Sequence, residues 1–245
     1  GVTGRPEGWK SGDVSRETSP GLRSRSVMPF PLPVITLADF SSTLHACSPE
    51  PLASEGAQAL YLHYQELSRW NQRLSLIGPG TAGEIVARHY GEALASLPLV
   101  PASARRGLDI GSGAGFPGLV LAAARPGLSM TLVEAQERKW AFLATAARRA
   151  SLPCHCLNVR VSLPLPAGLP ESLDLVTVRA LKLGPDLLAA LAGRLETGGR
   201  ILLWVGEDDP DLPTELQLSA SIKLLGSRTR RVVQLQRSTQ GMETR

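Results

Sequence analysis

Apolar residues recur at helical spacing in the first part of the chain, between residues 36 and about 98. In the segment EGAQALYLHYQELSRWNQRLSLIG an apolar or aromatic residue returns every three or four positions, which predicts a helix with one face in the core. The residues of that face are Leu60, Tyr64, Leu67, Trp70 and Leu74. A second amphipathic segment, TAGEIVARHYGEALASLPLV, predicts another helix, with Thr81 as its N-cap and Pro98 near its end.

After Pro101 the pattern changes to short apolar runs that alternate with helical stretches. Helices are predicted at about 115–125, 136–150 and 184–195, which favours a parallel sheet covered on both faces. The last two runs have no helix between them, so we expect an antiparallel hairpin at the sheet edge. The seven predicted strands are GLDIG, SMTLVEA, PCHCLNV, LDLVTVRA, RILLWVG, SIKLLGSRT and RRVVQLQR.

These patterns divide the chain into three parts. Residues 1–35 are rich in Gly, Pro, Ser and charge and show no period, so they are predicted to be a disordered tail. Residues 36–100 form a helical segment that we expect to pack on the core. Residues 101–240 form the α/β domain. The hydrophobic content of the whole chain, 43%, is enough for a substantial core.

Composition narrows the function only a little. The formal net charge of +4 and the pI near 9.3 permit an anionic partner such as RNA without requiring one. No apolar stretch approaches the roughly 18 residues of a membrane span, and the start lacks a signal-peptide layout. We therefore predict a cytoplasmic protein without a membrane partner. The spacing of Cys154, His155 and Cys156 is not that of a usual zinc site, and buried thiols with no metal are expected.

The segment GLDIGSGAGFPG carries the strongest chemical signal. It follows a predicted strand and opens a helix, which is where ligands meet the carboxyl end of a central strand. Glycines at 111, 113 and 115 permit positive φ angles and let backbone amides approach a ligand closely. Glu134 follows the next strand, where a carboxylate can accept both hydroxyls of a ribose. A ligand of the adenosine type is favoured over a turn that merely needs glycine.

Two details separate the candidate ligands. The dinucleotide fingerprint has a third glycine where this chain has Phe116. Asp109 precedes the loop, and a carboxylate there would repel a pyrophosphate but would suit the cationic end of S-adenosylmethionine. A nucleotide-linked oxidoreductase is the less favoured alternative.

From about Tyr61 to Arg237 the sequence resembles the small-subunit ribosomal RNA guanine-N7 methyltransferases, the RsmG or GidB family. The Phe-Pro-Gly after the glycine loop is more specific than the loop itself. The antiparallel ending is typical of class I methyltransferases. The resemblance implies a Rossmann-like sheet of seven mostly parallel strands with helices on both faces, preceded by the helical segment. The other matching stretches are RWNQRLSLIG, RHYGEAL, VEAQERKWAFL, NVR, VTVRAL and TGGRILLWVG.

The resemblance also implies roles for individual residues. S-adenosyl-L-methionine would contact the glycine loop and Arg179, and Glu134 would hold its ribose. The substrate, small-subunit ribosomal RNA or the 30S particle, would meet Arg88, His89, Arg138 and Lys139. The predicted cofactor-loop residues are Asp109, Gly111, Ser112, Gly113, Ala114, Gly115 and Phe116.

The predicted catalytic residues are Arg179 first and Arg160 second. Guanine N7 has an in-plane lone pair and no proton at neutral pH, so methyl transfer needs alignment and no strong base. An arginine fork could fix a phosphate or polarise guanine O6. Simpler interpretations stay open: a structural ion pair for Arg179, packing for His89, and solvated helix charges for Arg138 and Lys139. We expect a monomer.

Departures from the family pattern motivate a second function. Ser162 and Leu163 replace an acidic pair, Val205 replaces a lysine, and Glu92-Ala93 replaces Asp-Ser. The alternative is a divergent cofactor-binding protein that interacts with RNA and has weak or no methyl transfer. Arginines 228, 230, 231 and 237 form either a basic rim for RNA or a charged edge strand that resists aggregation.

Overall fold

The computed structural model describes residues 29–238, which form a helical N-terminal segment and a seven-stranded α/β domain. The strands are β1 Arg106–Ile110, β2 Ser129–Val133, β3 Cys154–Leu157, β4 Leu173–Val178, β5 Leu195–Val205, β6 Leu216–Lys223 and β7 Arg231–Arg237. The helices are α1 Leu37–Cys47, α2 Ser54–Asn71, α3 Ala82–Ile85, α4 Glu92–Leu94, α5 Gly118–Ala124, α6 Glu137–Arg149 and α7 Pro185–Ala192, with a π-helical segment Val86–Gly91 between α3 and α4.

The sheet has the strand order β3-β2-β1-β4-β5-β7-β6. The first five strands pair in parallel, while β7 runs antiparallel to both β5 and β6. The predicted parallel sheet with a closing antiparallel hairpin is confirmed. In the register, Ile110 pairs with Val133 on one side and Val178 on the other. The residues that follow β1, β2 and β4 therefore emerge side by side at one edge.

Two boundaries in the second half differ from the prediction. Strand β5 begins at Leu195, the last residue of the predicted helix 184–195 and five residues before the predicted strand, and its pairing with β4 shifts between Leu173 and Leu175. Strand β6 begins at Leu216, five residues before the prediction, and ends at Lys223. The residues predicted to continue it form the turn to β7, which contains Gly226 at φ +73°.

The N-terminal helices share one hydrophobic core with α5 and α6, in which Phe40, Leu60, Tyr90 and Phe142 are fully buried. Helix α2 lies against both α5 and α6. The first amphipathic segment is helical as far as Asn71, so Leu74 of the predicted face lies in the turn after α2. The second is helical as predicted, with the π-helical segment in its middle. The Thr81 hydroxyl accepts the Glu84 N–H at 3.3 Å, and the Glu84 carboxylate accepts the Thr81 N–H at 2.7 Å, so the predicted N-cap is part of a capping box.

The last seven residues of the predicted tail, 29–35, are partly held against the protein. Leu32 is buried, the Phe30 N–H donates to the Asn71 carbonyl, and the Tyr64 hydroxyl donates to the Pro33 carbonyl. Placing the tail boundary at residue 35 was therefore wrong, since Phe30, Pro33 and Ile35 are hydrogen-bonded to α2. Residues 1–28 lie outside the described residues. None of the helices within 29–238 combines the length and apolar character that a membrane span requires.

Candidate functional site

The glycine loop, residues 111–116, follows β1 at the edge where the parallel strands end. Gly111, Gly113 and Gly115 have φ angles of +72°, +54° and +93°, as their predicted role requires. The N–H groups of Gly111 and Ser112 both donate to the Val133 carbonyl at 2.9 Å. These bonds fasten the loop to the end of β2.

Asp109 lies beneath the loop and is fully buried. Its Oδ1 accepts the Thr177 hydroxyl at 2.6 Å, and its Oδ2 accepts the Gly118 N–H at the start of α5 at 3.3 Å. Burial raises the pKa of this carboxyl to about 6, against the opposing effect of the Thr177 hydrogen bond. Asp109 does not line the cavity above the loop. The carboxylate supports the loop from below, and its contact with the cationic end of a ligand stays a prediction.

Glu134 follows β2 directly and is buried against the loop. Its Oε2 accepts the Gly113 N–H at 3.0 Å, and its Oε1 accepts the Gln136 N–H at 2.8 Å. The Asn158 side chain donates to the Glu134 carbonyl at 2.9 Å and ties this turn to the end of β3. The carboxylate is thus held rigidly beside the middle glycine.

A cavity of about 480 Å³ opens above the glycine loop. It brings together most of the predicted site residues, although they come from four strand ends and two helices. The predicted residues that line it are His89, Gly111, Ser112, Gly113, Ala114, Phe116, Glu134, Lys139, Arg160 and Arg179. Gly115, Arg88 and Arg138 do not line it, and the two arginines belong to neighbouring cavities.

Arg179 follows β4 and is held by a buried ion cluster. We use the name Glu92 cluster for Glu92, Arg179 and Arg230. One Glu92 oxygen is 2.9 Å from Arg179 Nη2 and the other is 2.5 Å from Arg230 Nη1. The Arg179 guanidinium also donates to the carbonyls of Arg88 and His89, each at 3.4 Å. Burial lowers the pKa of Arg179, partly offset by Glu92.

The Glu92 cluster also forms part of a second cavity of about 970 Å³, which Arg88 and Arg230 line. His89 lies between the two cavities and lines both. Its ring packs against Phe116 with centroids 5.2 Å apart and a tilt of 30° between the ring planes. Burial, followed by the nearby positive charges of Arg179, Arg88 and Arg230, lowers the pKa of His89 to about 3. The ring is therefore neutral at pH 7.

His63 on α2 is part of the site, although the sequence analysis did not identify it. Its Nε2 is 2.8 Å from the Ala114 carbonyl, which can only accept, so Nε2 carries the proton. The Tyr90 hydroxyl then donates to Nδ1 at 2.7 Å. Burial lowers the pKa of His63 to about 4. The position could have been found, because His63 falls on the predicted buried stripe between Leu60 and Leu67.

The departures from the family pattern lie mostly away from the cofactor-sized cavity. Ser162 and Leu163 are exposed beyond β3, and Val205 ends β5 opposite Arg231. Glu92 is the exception, since its carboxylate joins two arginines.

Cys154 and Cys156 lie on β3, where burial raises their thiol pKa values to about 12 and about 11. Among residues 29–238 no group of three or more potential metal ligands comes together.

Comparison with known proteins decides the family. A family model described as GidB, rRNA small subunit methyltransferase G, matches residues 57–240. The chain belongs to this family. The predicted resemblance is thereby confirmed, and so is the expectation that the protein is a methyltransferase of the small-subunit ribosomal RNA class.

Named relatives agree with the GidB assignment. The chain is 41% identical over 160 residues to the ribosomal RNA small subunit methyltransferase G of Methylorubrum populi, covering 64% of this chain and 74% of that protein. The protein of the same name from Methylorubrum extorquens is 38% identical over 176 residues, covering 71% and 82%. TrmN from Thermus thermophilus is a structural neighbour at TM-score 0.50 and 22% identity, covering 62% and 53%. That likeness supports the predicted class I fold alone.

Proposed function

We propose that this protein transfers a methyl group from S-adenosyl-L-methionine to N7 of a guanine in small-subunit ribosomal RNA. The observation that carries the proposal is the convergence of the glycine loop, Glu134 and Arg179 on one cavity of about 480 Å³. Family membership supports the reaction class, and the cavity supports a nucleoside ligand next to a fixed cation.

The residues present fit S-adenosylmethionine better than a dinucleotide. In dinucleotide-binding folds the pyrophosphate lies at the N-terminus of the helix after the first strand. Here the Asp109 carboxylate accepts the Gly118 N–H at that helix start, so a second anion would be repelled. A donor with a positively charged sulfonium has no such conflict.

The ribose of the cofactor would be held by Glu134. Each oxygen of this carboxylate accepts one backbone N–H, and each has a second lone pair that can accept a ribose hydroxyl. Val159 lines the same cavity after β3, where it would flank the adenine. The bound cofactor would supply an electrophilic methyl group on its sulfonium.

The acceptor side needs positioning rather than base catalysis. Guanine N7 attacks with a lone pair that carries no proton, so no residue has to remove one. Arg179 presents a fixed guanidinium, which can donate to guanine O6 or to a phosphate. His89 is neutral beside Phe116, so it adds a flat apolar surface without adding charge. We assign Arg179 the principal positioning role and Arg160 the secondary one.

The test is transfer of a labelled methyl group to small ribosomal subunits and to their naked RNA, followed by mapping of N7-methylguanosine. The proposal expects label at N7 of a guanine in at least one of the two substrates. Binding of S-adenosylhomocysteine without any transfer would instead support the cofactor-binding protein without activity. Binding of NAD but not of S-adenosylhomocysteine would contradict the cofactor assignment.

A further inference from the structure

A third cleft, of about 370 Å³, lies at the C-terminal end of α2 and the first turn of α6. We name it the Trp70 cleft. Its lining residues are Arg69, Trp70, Gln72, Arg73, Leu74 and Arg138. Half of them are arginines and none is acidic, so the cleft attracts an anionic partner.

The arginines of the Trp70 cleft differ in whether they form ion pairs within the protein. Arg69 is 3.0 Å from the buried Glu66 carboxylate, which also holds Arg149 at 2.5 Å. The exposed side chains of Arg73 and Arg138 have no hydrogen bond or ion pair with any residue of the described range 29–238. Their guanidinium groups are therefore free to bind phosphate without first breaking an internal ion pair.

The indole of Trp70 is held in a fixed orientation. Its Nε1–H donates to Glu66 Oε2 at 3.2 Å, and its ring packs edge-on against Phe142 with centroids 5.9 Å apart. The ring still lines the cleft and is only partly buried. An aromatic face that is already ordered can stack a nucleic-acid base with little further loss of side-chain entropy.

The Trp70 cleft and the cofactor cavity are lined by residues that are close in sequence in two segments of the chain. In the turn after α2, Leu74 lines the cleft and Leu76 lines the cavity. In α6, Arg138 lines the cleft and the next residue, Lys139, lines the cavity. A strand whose guanine occupies the cavity would therefore reach the cleft with a neighbouring nucleotide.

We propose that the Trp70 cleft binds a nucleotide of the RNA substrate that flanks the methylated guanine. Its phosphates would contact Arg73 and Arg138, and its base would lie against Trp70. This inference rests on the proposed function, and it adds a docking surface outside the cofactor cavity. Backbone contacts of this kind set the register of a strand without reading its sequence.

The first test removes the two free cations with the variant Arg73→Ala/Arg138→Ala in the full chain. With naked small-subunit ribosomal RNA we expect Kd to rise about tenfold, and the log–log salt dependence to become shallower by about 1.4, since each phosphate contact with a single strand contributes about 0.7. In methyl transfer the change should fall on KM for RNA and not on kcat. The affinity for S-adenosylhomocysteine should match wild type.

The matched control is Arg106→Ala, which removes one exposed arginine at the opposite edge of the sheet, where β1 begins. It should leave the Kd for RNA within about twofold of wild type. If the double variant and this control have the same Kd and the same salt dependence, the cleft does not bind RNA phosphates and the inference is overturned.

The second test addresses the base through Trp70→Leu and Trp70→Phe. Stacking predicts a Kd about tenfold higher for the leucine variant, and an intermediate value for phenylalanine, which keeps an aromatic face. Equal RNA affinity in both variants and wild type would overturn the stacking part. Failure of the proposed function itself would give a different result, because wild type would then transfer no methyl group to either ribosomal substrate.

Discussion

The glycine loop and the Glu92 cluster form two walls of the same cavity, the cluster through Arg179 alone, but they are built in opposite ways. The loop is six consecutive residues, whose backbone amides donate to Val133 and Glu134 and whose Ala114 carbonyl accepts from the buried His63. The Glu92 cluster joins side chains from three distant segments through charge. The loop therefore fixes a shape, whereas the cluster fixes a positive charge.

This difference assigns separate functions to the two walls. A shape made of glycines and one carboxylate suits the recognition of a nucleoside. A guanidinium held by a buried carboxylate suits the positioning of an electron-rich acceptor, because the ion pair orders Arg179 before the substrate arrives. Substitutions in the cluster should therefore affect methyl transfer, and substitutions under the loop should affect stability and cofactor affinity.

The largest expected effect is on the cluster side. Arg179→Ala should lower the rate of methyl transfer by about 10²–10³-fold, as expected for the loss of one fixed donor at a reacting group. Glu92 would keep Arg230 as its partner, so the fold should persist. The rate is measured with labelled cofactor, and the affinity for S-adenosylhomocysteine is measured by calorimetry.

Arg179→Lys is the matched variant, because it keeps the charge and loses the fork. It should recover only part of the rate. If Arg179→Ala instead abolished cofactor binding, the two walls would not be separable and the assigned role of Arg179 would be wrong.

The second prediction concerns the support of the loop. His63→Ala should lower the free energy of unfolding by about 3–4 kcal/mol, because it leaves a cavity and deprives the Ala114 carbonyl and the Tyr90 hydroxyl of their partner. It should also weaken cofactor binding, since Ala114 is part of the loop. Urea unfolding gives the first quantity and calorimetry the second.

The exposed histidine on β3 supplies the control for this experiment. His155→Ala should change the free energy of unfolding by less than about 0.5 kcal/mol. An equal loss in the two variants would show that the buried bridge from α2 to the loop contributes nothing.

The loop wall could be predicted from the sequence, and the cluster wall only in part. Positive φ at three glycines, a strand before them and a carboxylate after the next strand are local signals. The partners of Glu92 are not, because Arg230 comes from the final hairpin and meets Glu92 only through the antiparallel placement of β7. The π-helical segment Val86–Gly91 likewise has no local signal in the apolar pattern, which is that of an ordinary helix.

The position of Asp109 could be predicted from the sequence, but the surroundings of its side chain could not. Its place before the glycine loop follows from the motif, whereas the direction of its side chain does not. Alternate residues of β1 face opposite sides of the sheet, and Asp109 faces Thr177 and the start of α5. The same motif is compatible with either direction until the packing of α5 is known.

The third prediction uses the raised pKa of Asp109. An aspartate with a folded-state pKa of about 6 and an ordinary value of 3.8 binds more protons when folded. Its contribution to stability is therefore largest below pH 3.8 and is lost as the pH rises through about 6. Relative to Asp109→Asn, wild type should lose about 2–3 kcal/mol of unfolding free energy between pH 4 and pH 7.

Urea unfolding of both proteins across this range gives the difference directly. His63 titrates with the opposite sign, since its lowered pKa removes stability as the pH falls from 6.5 towards 4. It is present in both proteins and cancels in the comparison. Parallel stability curves for the two proteins would show that burial does not raise the pKa of Asp109.

The smallest expected effect lies at the helix that carries the cluster wall. Thr81→Ala removes the capping box of α3 and should lower the free energy of unfolding by about 1 kcal/mol. The helix continues through the π-helical segment, whose Arg88 and His89 carbonyls accept from Arg179. Looser packing at its start should therefore raise KM for RNA slightly and leave the affinity for S-adenosylhomocysteine unchanged, whereas an equal loss of cofactor affinity would show that this helix supports the loop wall as well.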